Sequence, residues 1–296
     1  MKVLLYGKNG WLGQKVYDLL IKDEHEVFIG SCRAENVKGL EEEIVAFQPT
    51  NIISTIGRTH GTIGDTKYTT IDYLEQKGKV RENVRDNLYS PVMIAVIAQK
   101  HNIHYTYLGT GCIFSYDDEH PFGEEVNGFK EDDSPNFFGS AYSVVKGYTD
   151  RLMKMFDNVL NVRIRMPITE DINPRNFITK ITTYKKICSV PNSMTVIPEL
   201  LPVMIDMCKQ RVTGTVNLTN PGLITHNEIL EMYKEIVDRE FTWENFDIAE
   251  QQKILESERS NNYLDTARLE SMYNVLHIKD SVREVLVTMK NTSCNV

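Results

Sequence analysis

The sequence predicts an α/β fold: a Rossmann-like, doubly wound parallel sheet with a smaller mixed α/β lobe after it. Three observations carry this expectation. Apolar runs of strand length alternate with helix-period segments through the first half, which is the mark of βαβ units. A glycine-rich turn, Gly7-x-x-Gly10-x-x-Gly13, falls between the first strand and the first helix. After Arg165 the alternation fades, and Pro167, Pro174, Pro191, Pro198, Pro202 and Pro221 punctuate the chain.

The elements follow in order. Lys2 to Tyr6 is apolar on both faces and reads as a buried strand. Trp11 to Ile21 places Leu12, Val16, Leu19 and Leu20 on one helical face. Glu26 to Ile29 is a second strand. Leu40 to Phe47 is a helix that stops before Pro49, because proline disfavours helical backbone in the residue ahead of it. Asn51 to Thr55 is a third strand, Pro91 to Lys100 continues a long helix, and His104 to Leu108 is a fourth strand. Tyr142 to Phe156 is a helix and Val159 to Ile164 a strand, joined by crossovers that are right-handed as a rule. In the second half, helices are expected at Glu199 to Cys208, Asn227 to Val237 and Val282 to Met289, with one strand at Thr215 to Leu218. The expected division is residues 1–165 and 166–296, with the ligand in the cleft between them.

Composition narrows the function classes. The chain has 296 residues, 41% hydrophobic and 25% charged, which is globular and excludes disordered, collagenous and coiled-coil proteins. Lys plus Arg number 33 and Asp plus Glu 41, a net charge of −8, so nucleic acid and anionic membranes are poor partners. Five scattered cysteines, Cys32, Cys112, Cys188, Cys208 and Cys294, offer neither a disulfide framework nor a zinc site. Free thiols and the absence of a signal-peptide core or a long apolar run point to the cytoplasm, and no metal is expected. The sequons at Asn217 and Asn291 are read as chance.

The glycine turn has a physical rationale. One glycine permits the tight turn, another lets a phosphate approach the backbone, and the third lets helix and strand pack closely. The helix N-terminus then presents unpaired N–H groups to a pyrophosphate. Gly7, Asn9, Gly10, Trp11, Leu12 and Gly13 form the expected cofactor-binding turn. After the second strand no carboxylate appears until Glu35. Ser31 and Arg33 suit a ribose 2′-phosphate, which favours NADPH over NADH; the plain alternative for Arg33 is a solvated charge. The run Glu41-Glu42-Glu43 reads as a solvated helix face.

Tyr142 and Lys146 lie four apart at the start of a helix, hence on one face. A phenol there can give a proton to a carbonyl oxygen as hydride arrives, and a nearby ammonium would lower its pKa from about 10. Thr110, at the end of the preceding strand, can hydrogen-bond the same carbonyl, or simply end the strand. Asn87 joins a proton relay or serves as an ordinary helix polar residue.

With these elements the chain resembles the extended short-chain dehydrogenase/reductase family. Longer motifs narrow the likeness: Arg165-Met-Pro-Ile168, Asn173-Pro-Arg-Asn-Phe-Ile-Thr-Lys-Ile181, Pro191-Asn-Ser-Met-Thr195, Thr219-Asn-Pro-Gly222, His226-Asn-Glu-Ile-Leu-Glu-Met-Tyr233 and Arg259-Ser-Asn-Asn262. They are similar to nucleotide-rhamnose synthase/epimerase-reductases from Gly7 to about Asp265. The resemblance implies 3,5-epimerisation of UDP-4-keto-6-deoxy-glucose, followed by NADPH-dependent reduction to UDP-L-rhamnose. It implies that Cys112 and Lys180 form the epimerising acid–base pair. Arg259 suits a diphosphate clamp, with a salt bridge as the plain alternative, and Asn176, Asn192, Asn261 and Asn262 either bind sugar hydroxyls or uracil or cap turns. An upstream nucleotide-glucose 4,6-dehydratase is implied as well, and a homodimer is allowed. Residues 1–165 become the NADP-binding domain with the Tyr-Lys pair, and 166–296 the nucleotide-sugar lobe. Two alternatives stay open: a reductase acting alone on a dTDP- or UDP-4-keto-6-deoxy sugar, and a non-catalytic NADP-binding regulatory subunit.

Overall fold

A computed structural model describes residues 1–293, so Cys294 lies outside the described residues. The strands are β1 (Lys2–Tyr6), β2 (Glu26–Ile29), β3 (Asn51–Ser54), β4 (Gly61–Ile63), β5 (Thr66–Tyr68), β6 (His104–Thr110), β7 (Val159–Ile164), β8 (Lys186–Ile187), β9 (Gly214–Asn217) and β10 (Glu244–Asn245). The helices are α1 (Trp11–Lys22), α2 (Val37–Phe47), α3 (Val80–Val84), α4 (Ser90–Lys100), α5 (Ala141–Met153), α6 (Phe177–Thr183), α7 (Ile197–Lys209), α8 (His226–Ile236), α9 (Ile248–Gln252), α10 (Ala267–Glu270) and α11 (Ile278–Ser293).

The chain forms two compact units, and each draws on three segments rather than on one half of the sequence. The first comprises residues 1–113, 134–163 and 201–216; the second comprises 114–133, 164–200 and the chain from Asn217 onward. The first unit carries the sheet, in the order β2-β1-β3-β6-β7-β9, with β1–β2, β1–β3 and β3–β6 paired parallel. Order 2-1-3 reverses the direction of winding at β1, which places a topological switch point beside the glycine turn. Leu4, Tyr6, Ile52, Tyr105 and Tyr107 from the strands pack with Leu40, Ile44, Ile94 and Ala98 from the helices as this unit's core.

The expected long helix before β6 is broken into α3, one π-helical turn at Arg85–Tyr89, and α4. The cause is Pro91, which has no N–H for the carbonyl of Asn87 four residues earlier. The Thr149 hydroxyl, on α5, donates to that carbonyl at 2.6 Å. The Ser90 hydroxyl donates to the Arg85 carbonyl at 2.7 Å, one register wider than an α-turn. The antiparallel hairpin β4–β5 and the short 3₁₀ turn Ile71–Glu75 were not anticipated.

The second unit packs Ile168, Ile178, Ile181, Met194 and Val196 against Ile224, Ile229, Leu230, Ile278, Val282 and Leu286. Its helix α8 starts with a capping box, in which Thr225 accepts from the Glu228 amide and Glu228 accepts from the Thr225 amide. Trp243 packs on this core, and its indole donates to Asn227 at 2.9 Å. No helix among the described residues is long and apolar enough to cross a membrane.

Candidate active site

The glycine turn is built as a cradle. Gly7 has φ +88°, and a Cβ there would stand 2.5 Å from the Thr55 hydroxyl. A Cβ on Gly13 would lie 2.0 Å from the Gly7 carbonyl oxygen. Only glycine fits at either position. Gly10 is the N-cap of α1 and offers no side-chain cap, so the N-terminus of this 12-residue helix suits an anion. These features fit the pyrophosphate of a dinucleotide.

Thr110, Cys112, Tyr142 and Lys146 come together in the first unit. Thr110 ends β6, and its hydroxyl accepts from the Cys112 amide at 3.1 Å and is hydrogen-bonded to the Tyr142 phenol. Ser140 caps α5, accepting from the Ser143 amide at 3.0 Å, and the Ser143 hydroxyl donates to the Cys112 carbonyl at 2.7 Å. These bonds fix the turn after β6 against the first turn of α5. Lys146 is buried, and its ammonium donates to the Tyr107 hydroxyl while lying 4.6 Å from that ring's centroid. One turn further along, Asp150 holds the fully buried Arg163 at 2.7 Å.

Electrostatics in this cluster depart from the sequence expectation. Tyr142 is not lowered by Lys146. Burial, and then the Cys112 thiolate charge, push the phenol up, opposed by the bond to Thr110. The phenol therefore holds its proton at neutral pH, as a proton donor must. Burial pulls Lys146 down to about 8, against Asp150 and Cys112, which favour the ammonium.

At the end of β2 the structure brings in a residue that sequence reasoning missed. Glu43, on α2, accepts from the Ser31 amide at 2.8 Å, from the Ser31 hydroxyl at 2.7 Å and from the Tyr6 hydroxyl at 2.7 Å. The expectation that Glu43 belongs to a solvated face fails. Helical spacing held the signal, since Glu43 adjoins the buried Ile44 and follows the buried Leu40 by three residues. Arg33 is exposed. Asn87 is fully buried, accepts from the Arg58 amide at 2.8 Å and donates to the Arg58 carbonyl at 2.9 Å, so it clamps the segment after β3.

In the second unit, Lys180 lies on α6. Burial lowers its pKa, and the charges of Arg175 and Arg259 lower it further. Arg259 donates to the Ser257 hydroxyl. Asn176 caps α6 with every hydrogen-bonding group engaged: its oxygen accepts from Thr169 and Ile178 and its amide donates to the Thr169 and Asp171 carbonyls. Asn192 likewise accepts from Arg165 at 2.7 Å and from the Asn262 amide at 3.0 Å, and donates to Asn261 at 2.9 Å. The Asn262 side chain donates to the Phe114 carbonyl at 2.9 Å. These asparagines tie the unit's loops together. Thr225 caps α8, and burial takes the following His226 imidazole down to about 4.

No family model matches the chain, but relatives do. It is 52% identical over 292 residues to the protein L780 of Acanthamoeba polyphaga mimivirus, covering 98% of this chain and 99% of that one. The crystal structure of the L780 UDP-rhamnose synthase superposes with a TM-score of 0.93 at 51% identity, covering 97% of this chain and 99% of that one. A bifunctional dTDP-4-dehydrorhamnose 3,5-epimerase/reductase of Arabidopsis thaliana is 41% identical over 281 residues, 94% of this chain and 90% of that protein. The chain belongs to the nucleotide-rhamnose epimerase/reductase family.

Trifunctional members of this family in Arabidopsis thaliana, named as 4,6-dehydratase, 3,5-epimerase and reductase, match 95% of this chain, which spans 41% of their length. The dTDP-4-dehydrorhamnose reductase of Bacillus anthracis, solved with NADP, has the same fold at 16% identity and a TM-score of 0.76, covering 97% of this chain and 98% of that one. Within an epimerase/reductase the two clusters divide by chemistry. The first unit holds a hydroxyl, a phenol, an ammonium and a thiol around one turn; the second holds a lysine among arginines.

Proposed function

We propose that the chain epimerises carbons 3 and 5 of UDP-4-keto-6-deoxy-glucose and reduces the 4-ketone with NADPH to give UDP-L-rhamnose. The observation that carries this reading is the Thr110–Tyr142–Lys146–Cys112 cluster in the same unit as a dinucleotide-type glycine turn. NADPH supplies hydride when bound; NADH is the competing donor, and the Arg33 guanidinium at the end of β2 favours the phosphorylated form. Gly7, Gly10 and Gly13 give the pyrophosphate its approach.

The residues' own work follows from their protonation. Tyr142 is neutral and gives its proton to the ketone oxygen, with Thr110 bonded to the same phenol. Lys146 stabilises the resulting phenolate electrostatically while it remains an ammonium, below about pH 8. For epimerisation, a base removes a proton beside the ketone and an acid returns one to the opposite face. Lys180 is suited to the base role because burial and two arginines favour its neutral form. Cys112 supplies the second proton-transfer group, and Arg259 the diphosphate clamp. The ketone must be made upstream, which calls for a 4,6-dehydratase elsewhere. With its described cysteines free, the chain is suited to the reducing cytoplasm.

The test is incubation of purified protein with UDP-4-keto-6-deoxy-glucose in deuterated water, with and without NADPH. NMR follows deuterium at carbons 3 and 5 while absorbance follows cofactor oxidation. Deuteration together with UDP-L-rhamnose supports both activities. Oxidation without deuteration reduces the reading to a 4-ketoreductase.

A further inference from the structure

In a dinucleotide-binding βαβ unit, the residues after β2 meet the adenosine ribose, and the groups they present choose between a 2′-hydroxyl and a 2′-phosphate. We propose that Glu43 is a cofactor-specificity residue, which commits the donors at the end of β2 to its own carboxylate and so opposes a 2′-phosphate there. The inference rests on the nicotinamide-dinucleotide reading above and deepens it.

The geometry is specific. One oxygen of Glu43 takes the Ser31 amide at 2.8 Å, the Ser31 hydroxyl at 2.7 Å and the Cys32 amide at 3.2 Å. The other takes the Tyr6 hydroxyl at 2.7 Å. Four donors from the ends of β1 and β2 converge on one side chain. The carboxylate is ionised: burial opposes this, but the bonds from Ser31, Tyr6 and Cys32 outweigh it. A carboxylate so engaged stays in place.

Two consequences follow for a ribose at this position. A 2′-phosphate brings about 1.5 to 2 negative charges and needs donors. Ser31 has none to give, since its hydroxyl proton and its amide both point at Glu43. Arg33 remains as an exposed cation. A free 2′-hydroxyl needs an acceptor instead. The Ser31 oxygen, with its proton directed to Glu43, presents lone pairs. Glu43 thus supplies, from 12 residues further along the chain, the negative charge that the strand end itself lacks. Arg33 and Glu43 act in opposition, and the pocket takes NADH alongside NADPH.

The experiment is fluorescence titration of the full chain with NADPH and with NADH, in the absence of sugar. Glu43→Gln keeps the shape and removes the charge. It is expected to raise the ratio of NADPH to NADH affinity about tenfold over the unsubstituted chain. Ser31→Ala gives an independent sign. If Ser31 offers lone pairs to a ribose hydroxyl, the variant weakens NADH more than NADPH; if Ser31 serves a phosphate, NADPH weakens more and the proposal falls. Circular dichroism and melting confirm that both variants are folded. A ratio unmoved within twofold by Glu43→Gln, with both dinucleotides binding, overturns this proposal alone. Failure of the unsubstituted chain to bind either dinucleotide overturns the dinucleotide reading and this proposal with it.

Discussion

Lys146 gives the sharpest test of the reductive chemistry, because one hydrogen-bond partner of its ammonium, the Tyr107 hydroxyl, can be removed as a single atom. Lys146 is 5% exposed, and its ammonium donates to the hydroxyl of Tyr107, a residue 1% exposed. Burial pushes Tyr107 well above the usual phenol range, so this acceptor stays neutral. Tyr107→Phe deletes the acceptor and keeps the ring face 4.6 Å from the ammonium. A hydrogen bond to a charged group contributes about 1.5 to 3 kcal/mol. Losing it from the ammonium form alone lowers the Lys146 pKa by about one to two units. From a starting value of about 8, half or more of Lys146 becomes neutral at about pH 7. The assay is kcat/KM for ketone reduction from pH 6 to 10. The unsubstituted chain is expected to lose activity above about pH 8, and the variant to lose it one to two units lower, with its low-pH plateau retained. A uniform fall in rate with an unmoved pH limb refutes the argument and leaves Tyr107 as packing. Linkage has the matching sign. The folded pKa lies below the unfolded value near 10.5, so burying the ammonium penalises the fold fully below about pH 8. That penalty fades as pH rises from about 8 to 10.5, where the unfolded chain binds the extra proton.

Three further outcomes are expected. Cys112→Ala should cut deuterium entry at carbons 3 and 5 by at least about 100-fold, while reduction of an already epimerised ketone survives; equal loss of both would make Cys112 structural. Arg175→Ala removes a charge that favours neutral Lys180, so the exchange rate should reach its half-maximum about half a pH unit higher. Asn192→Ala strips partners from the buried Arg165 guanidinium and the Asn262 amide, and should lower unfolding free energy by about 2 to 4 kcal/mol in urea.

The sheet of the first unit was legible because its signals are local. Strand-length segments between turn and helix signals stand out in the sequence, and β1, β2 and β7 begin and end at the expected residues. The π turn was not legible, because it depends on a partner: the carbonyl that Pro91 leaves open is met by Thr149, 62 residues later in the chain. Short helices such as α6 and α9, of 7 and 5 residues, are too brief for a 3.6-residue period to stand out. The interleaving of the two units was hidden for a similar reason, since the return of residues 201–216 to the sheet is a matter of which strand β9 joins.

At the site, legibility followed the distance between residues that act together. Thr110 and Cys112, and Tyr142 and Lys146, sit within one turn of each other and announce themselves by spacing. Glu43 acts on Ser31 from another element, so scanning β2 for a carboxylate passed over it. The long motifs that carried the resemblance tell a different story. Arg165, Asn192 and Asn262, from three of them, bond to one another or to Ser260 inside the second unit, and Asn176 closes the start of α6. The bonds these side chains make inside the second unit hold its loops in place. Such motifs therefore identify the fold that carries Lys180 and Arg259, and the chemistry has to be argued from those two, from Cys112, and from the phenol and ammonium on α5.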